Sequence, residues 1–215
     1  MTGRGVFITF EGGEGSGKST QIRALTRRLE AAGVAVRALR EPGGTAAGEA
    51  IRAILLDPAH TGLDPRAELL LYEAARAQLV AEVIEPALAA GEVVVCDRFY
   101  DSTTAYQGHA RGLDLEEIDR LNHVATGGLV PDATVVLDID PDAGLARATV
   151  GGADRLEGED AAFHRAVREG FLAIAATERD RVRVVDASGS VDEVAARVSH
   201  ALHDVLGTLE DGERT

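Results

Sequence analysis

The sequence predicts an α/β fold: a doubly wound parallel sheet of five strands with helices on both faces. Three observations carry this. Five short apolar, β-rich runs are separated by stretches with helical periodicity. Several of those stretches open with helix-capping chemistry. The first run leads straight into Gly12-Gly13-Glu14-Gly15-Ser16-Gly17-Lys18-Ser19, which satisfies G-x-x-x-x-G-K-[ST] between a strand and a helix. That unit is the phosphate-binding P-loop, and the expected architecture is therefore the P-loop NTPase fold.

The elements follow in order. Residues 5–10 read as a buried strand. After Lys18, the side chains Ile22, Leu25 and Leu29 fall on one helical face. Strand-like runs recur at 34–39, 93–96, 133–139 and 181–185. Asp64-Pro65 and Asp140-Pro141 each supply an N-cap with proline at the first helical position. Asp114 and Glu117, like Ser190 and Glu193, have the spacing of a capping box. No repeat and no linker interrupts the chain, so one domain is expected over residues 1–215, with a frayed tail from about 209.

Composition narrows the function. The chain has 215 residues and a net charge of −14. Such a surface repels nucleic acid polymers, so the expected partners are small molecules. No apolar run approaches the ~20 residues of a membrane span, and no signal peptide is expected ahead of the first strand. A single cysteine, Cys96, lies in an apolar run and suits a reducing cytoplasm. The six histidines show no metal-ligand spacing.

The one lysine, Lys18, stands in the P-loop, although arginine supplies every other strongly basic charge. A compact ammonium fits among β- and γ-phosphate oxygens where a planar guanidinium is too wide. The phosphate-binding set is Gly12, Gly13, Glu14, Gly15, Ser16, Gly17, Lys18, Ser19 and Thr20, with ATP as the nucleotide. Ser19 is placed to reach Mg²⁺. Asp97, at the end of the run 93–96, is the second candidate metal ligand, because ligands of open α/β sheets bind at that strand edge. Arg98 follows directly beside the expected phosphates.

Four segments together resemble the thymidylate kinase family over roughly residues 5 to 205. Asp97-Arg98-Phe99-Tyr100-Asp101-Ser102-Thr103-Thr104-Ala105-Tyr106-Gln107 resembles its D-R-[FYH]-x-x-S-x-x-A-[YF] signature. Phe10 to Thr20 resembles its P-loop, Arg40-Glu41-Pro42-Gly43-Gly44-Thr45 its loop after strand two, and Leu70-Leu71-Tyr72-Glu73-Ala74-Ala75-Arg76 its thymine-binding helix. The resemblance implies transfer of the ATP γ-phosphoryl group to dTMP by a homodimer. It implies that Lys18 holds the β/γ-phosphates and Arg98 grips the acceptor phosphate. Glu14 would meet the deoxyribose 3′-hydroxyl, and Glu41 the metal's water shell or the acceptor. Arg52 would bind dTMP, Tyr72 stack on thymine, and Arg76 donate to the base O4. Ser102, Thr103 and Gln107 would line the base pocket, and Tyr106 crowd the sugar 2′ position. Plainer roles are open for some of these: Tyr72 and Tyr106 as core aromatics, Arg76 paired with Glu73 or Glu82, Arg52 as a solvated helix charge, Asp97 as a strand-end cap.

The P-loop interior carries no basic residue. The resemblance then places the catalytic cation in a lid, here about residues 149–160, with Arg155 as the favoured arginine and Arg147 in support. Two other functions stay open on sequence alone: a kinase for another nucleotide or deoxynucleoside, and an ATP-driven switch. A GTP switch is excluded, because its N-K-x-D segment needs a second lysine.

Overall fold

The computed structural model describes residues 4–60, 62–148 and 155–210. Five strands form one sheet: β1 (Phe7–Glu11), β2 (Val36–Arg40), β3 (Val93–Asp97), β4 (Ala133–Asp138) and β5 (Val182–Asp186). Their order is β2-β3-β1-β4-β5, and every pairing is parallel. Each run expected to be a strand is one, with ends within two residues of the expected place. All five strands end in a charged residue: Glu11, Arg40, Asp97, Asp138 and Asp186. The C-terminal edge of the sheet is therefore polar before any loop is added, and it is the edge where such sheets bind ligands.

The alternation of side chains along the strands explains the two helical layers. Ile8, Phe10, Val93, Val95, Val135 and Leu137 face α1 (Lys18–Ala31) and α9 (Val191–Ala201) through Ile22, Leu25, Leu29, Val194 and Val198. On the opposite face, Phe7, Val94 and Cys96 pack with Leu79, Val80, Ile84 and Phe99. Val136 and Val182 meet Phe163, Val167 and Phe171 of α8 (Ala161–Thr177). That face also buries a polar network. Thr9 and Thr134 hydroxyls lie 2.7 Å apart, and Arg181 donates to Asp101 at 2.7 Å and to Thr134 at 2.7 Å.

The remaining helices are α2 (Ala46–Leu56), α3 (Pro65–Leu79), α4 (Glu85–Ala89), α5 (Tyr100–Thr103), α6 (Leu115–Thr126), α7 (Pro141–Ala148) and α10 (His203–Glu210). The caps form as expected at Asp64, Asp114 and Asp140, Ser190 with Glu193 makes a full capping box, and Asp160 adds a cap to α8. Two π-helical turns were not legible in the sequence. The turn Val80–Ile84 joins α3 to α4, where Pro86 has no N–H to offer and its ring crowds the carbonyl of Glu82. The turn Thr104–Ala110 follows α5 and carries Tyr106 and Gln107. Residues 149–154 of the expected lid, and 211–215 of the expected tail, lie outside the described residues.

Candidate active site

A cleft of about 790 Å³ opens at the C-terminal edge of the sheet. Its size suits a small-molecule site. Its walls include Glu14, Gly15, Ser16, Gly17, Lys18, Ser19 and Thr20 on one side and Tyr72, Ser102, Thr103, Tyr106 and Gln107 on the other. Glu41, Arg52, Asp97, Arg98 and Arg147 complete it. Gly12 and Gly13 of the P-loop, with Arg76 and Arg155, stand outside the lining.

The P-loop is shaped by backbone that only glycine tolerates. Gly15 sits at φ +64°, and a Cβ there would lie 1.9 Å from the Gly144 carbonyl oxygen. Gly17 caps α1 without a side chain, and no acidic residue occupies the first turn. The N-terminal dipole of α1 is therefore left for a ligand. Lys18 Nζ donates to the Gly12 and Gly13 carbonyls at 3.0 and 2.9 Å. Burial and the neighbouring Arg98 lower the pKa of Lys18. Ser19 Oγ donates to Asp97 Oδ2 at 3.0 Å. These two hard oxygen ligands fit a divalent cation completed by phosphate and water. No group of three or more acidic, histidine or cysteine side chains forms a metal cage among the described residues.

Arg98 is the centre of the cleft. It is the single non-glycine residue with positive φ (70°) among the described residues. Its N–H donates to the Phe10 carbonyl at 2.9 Å. The guanidinium reaches back over the P-loop, donating to Gly12 O at 3.2 Å, Ser102 Oγ at 3.2 Å and Glu14 Oε1 at 2.5 Å. It also lies 5.0 Å above the Tyr106 ring. Burial alone would raise the pKa of Glu14, but Arg98 and Lys18 outweigh it and hold the carboxyl at about 2. Tyr106 donates to the same carboxylate at 2.8 Å while its ring packs edge-on to Phe163 and Phe171. Tyr106 is thus a core aromatic and a cleft wall at once.

Glu11 was not singled out from the sequence, because its position reads as the last residue of a strand. It is fully buried and accepts from Phe99 N at 2.7 Å and Ser102 Oγ at 2.6 Å. It fixes the turn that aims Arg98. Burial, with Asp101 nearby, pushes its pKa up to about 8.

The residues expected to meet the base are held by buried ion pairs. Arg76 donates through Nε to Glu41 at 2.9 Å and through Nη1 to Glu73 at 2.7 Å and Thr103 at 3.0 Å. Its Nη2 lies 2.8 Å from Glu41. The pairing with Glu73 is therefore real, and the one with Glu82 is replaced by Gln78 bonding to Glu82. Glu41 turns towards Arg76, and burial, opposed by Arg76, leaves its pKa at about 7. Arg52 donates to the Pro42 carbonyl at 3.0 Å at the cleft wall.

The two arginines expected to serve a lid separate. Arg147, on α7, lines the cleft. Arg155 is 8 % exposed, donates to the Leu55 carbonyl at 2.7 Å and pairs with Glu68 at 2.5 Å.

The thymidylate kinase family model matches residues 10–198. The chain belongs to the thymidylate kinase family. It is 57% identical over 195 residues to a thymidylate kinase of Synechococcus sp. (strain JA-3-3Ab), covering 90% of this chain and 93% of that one. It is 56% identical over 212 residues to that of Solidesulfovibrio magneticus, covering 95% and 100%. The crystal structure of thymidylate kinase from Ehrlichia chaffeensis superposes with a TM-score of 0.77 at 35% identity, covering 93% of this chain and 99% of that chain. The family's five-stranded P-loop architecture is the one built above. No helix among the described residues is long and apolar enough to cross a membrane.

The raised carboxyls make a pH prediction. Folded Glu41 and Glu11 hold protons that the unfolded chain releases near 4.5. Their contribution to stability is full below that pH and is lost as pH rises through about 7 and about 8 respectively. Glu14 works oppositely, its contribution being lost as pH falls through about 2. Glu11→Gln is expected to flatten the decline of urea-unfolding stability between pH 4.5 and about 8. An unchanged slope would show that Glu11 is already ionised in the folded protein.

Proposed function

We propose that the cleft transfers the γ-phosphoryl group of ATP to dTMP, giving ADP and dTDP, with the acceptor phosphate gripped by Arg98. The observation that carries this reading is the Arg98 guanidinium, bridged from the P-loop carbonyl of Gly12 to Ser102 on the base side. A phosphate monoester has a second pKa near ~6 and is already an anionic nucleophile at neutral pH, so no general base is required. The barrier is charge repulsion. Two like charges 4 Å apart cost about 4 kcal/mol at an effective dielectric near 20. Cations held in place before the substrates meet are the remedy, and they also stabilise charge on the transferring group.

Lys18 and the α1 N-terminus take the β/γ-phosphates in this reading. Ser19 and Asp97 would hold Mg²⁺, which would supply positive charge against the phosphates. Tyr72 stacks on the base. Arg76 spends four of its five N–H groups on Glu41, Glu73 and Thr103, which leaves one Nη2 hydrogen for a base carbonyl. Glu41 then acts on the base by aiming Arg76. Ser102, Thr103 and Gln107 take the base edge, Glu14 the sugar hydroxyl, Tyr106 the 2′ position and Arg52 the acceptor side. For the lid cation, the cleft lining supports Arg147, while Arg155 is spent on Glu68.

The proposal extends to a homodimer and to the cytoplasm. Leu70 on α3 and Leu115 and Val124 on α6 are exposed apolar side chains on two helices that pack together, which supports a dimer face there. The buried free thiol of Cys96 suits a reducing compartment, and the net charge of −14 favours free nucleotides over polymers as partners.

ADP release from ATP and Mg²⁺ with dTMP, dUMP, dCMP, dGMP, AMP and thymidine in parallel tests the reaction. A strong preference for dTMP is expected, and preference for another acceptor would overturn the thymine pocket. Arg147→Ala is expected to lower kcat by roughly 10³-fold, as loss of an arginine finger does, with Arg155→Ala costing less than about tenfold. The reverse order would return the role to Arg155.

A further inference from the structure

Glu68, in the first turn of α3, has no part in the reaction as described, yet it is among the most buried carboxylates of the chain, at 1% exposure. Its Oε1 accepts from Gln107 Nε2 at 2.7 Å and from Arg111 Nε at 3.3 Å. Its Oε2 lies 3.3 Å from Arg111 Nη2 and 2.5 Å from Arg155 Nη2. Arg111 reaches on to Glu159 at 2.6 Å and lies 4.6 Å above the Phe163 ring.

An ionised carboxylate can only accept hydrogen bonds. Gln107 must therefore turn its NH₂ group towards Glu68, and its carbonyl oxygen the other way. Gln107 lines the cleft, and its Oε1 accepts no hydrogen bond among the described residues. We propose that Glu68 is a specificity-determining positioning residue, locking the Gln107 amide so that a carbonyl oxygen meets the base edge and selects a ring N–H at position 3. Thymine carries that N–H. Cytosine has a bare nitrogen there, whose lone pair opposes the carbonyl. The inference rests on the reading of this part of the cleft as the base pocket.

A neutral partner would not serve. An amide or hydroxyl at position 68 can accept or donate, so the Gln107 amide could sit either way round. A carboxylate removes that degeneracy, at the cost of burying a charge. The surroundings offset the cost. Burial pushes the pKa of Glu68 up, but the bonds from Gln107 and Arg111, with the charge of Arg155, overcome it and leave the pKa lowered. Arg155 thereby has a reason to be where it is: it keeps Glu68 ionised.

The test compares dTMP with 5-methyl-dCMP, which share sugar, phosphate and methyl group and differ at N3 and C4. In Glu68→Gln, the ratio of kcat/KM for the two nucleotides is expected to fall by at least about tenfold, through KM for dTMP, with KM for ATP within about twofold of wild type. In a Gln107→Met background, Glu68→Gln is expected to leave the ratio unchanged. A ratio that does not move in the single variant, or that falls equally in the Gln107→Met background, overturns the proposal. If Glu68→Gln does not fold, hydrogen exchange of the Gln107 side-chain amide in the wild-type protein decides. Protection supports the lock, and exchange at the rate of a free amide overturns it. Wild-type protein inactive on dTMP would instead overturn the reading of the site. Normal wild-type preference with an unmoved ratio in the variant would remove only the role of Glu68.

Discussion

Everything in the cleft is arranged around holding a guanidinium, Arg98, in one place before substrates arrive. The backbone there adopts a left-handed conformation that non-glycine residues rarely accept. It persists because Glu11 ties down the following turn through Phe99 and Ser102, and because the side chain is bonded to Gly12, Glu14 and Ser102. A protein with a net charge of −14 repels nucleotides at long range, so attraction has to be local and fixed.

The same device recurs across the site. Arg98 is paired with half-buried Glu14, and the pairs of Arg76 with Glu41 and Glu73 and of Arg155 with Glu68 are buried. Buried ion pairs contribute little net stability, since desolvation offsets attraction. What they provide is orientation. A guanidinium held by two carboxylates cannot rotate, so its remaining N–H points in one direction. Removing a carboxylate would leave a buried cation that must move or recruit water. In the proposed reaction, the acids of this cleft act through the bases they aim, without themselves moving protons.

Much of this was legible in the sequence. The P-loop, the strand ending in Asp97 and the alternation of strands and helices all rest on local chemistry, and each appears where expected. Tyr72, Ser102, Thr103, Tyr106 and Gln107 line one cleft. The sequence did not reveal Glu11 or Glu68, because a buried carboxylate looks like any other acid until its partner is known. Those partners lie far away along the chain: Gln107 for Glu68, Ser102 for Glu11. The separation of Arg147 from Arg155 was hidden for the same reason. Both are arginines close together in sequence, and the difference is a contact of Arg155 with α3. The π-helical turn that sets Tyr106 and Gln107 has no local signature comparable to a cap or a glycine loop.

The most direct test of this account is the kinetics of Arg98→Ala on dTMP, read together with its equilibrium affinity for ATP. If the guanidinium acts on the acceptor and on developing charge, kcat should fall by about 10²–10³-fold, as for loss of other preorganised charge donors, while the Kd for ATP stays within a few fold. A kcat within tenfold of wild type, or a loss confined to ATP affinity, would show that Arg98 serves the P-loop alone and that the acceptor phosphate is held elsewhere.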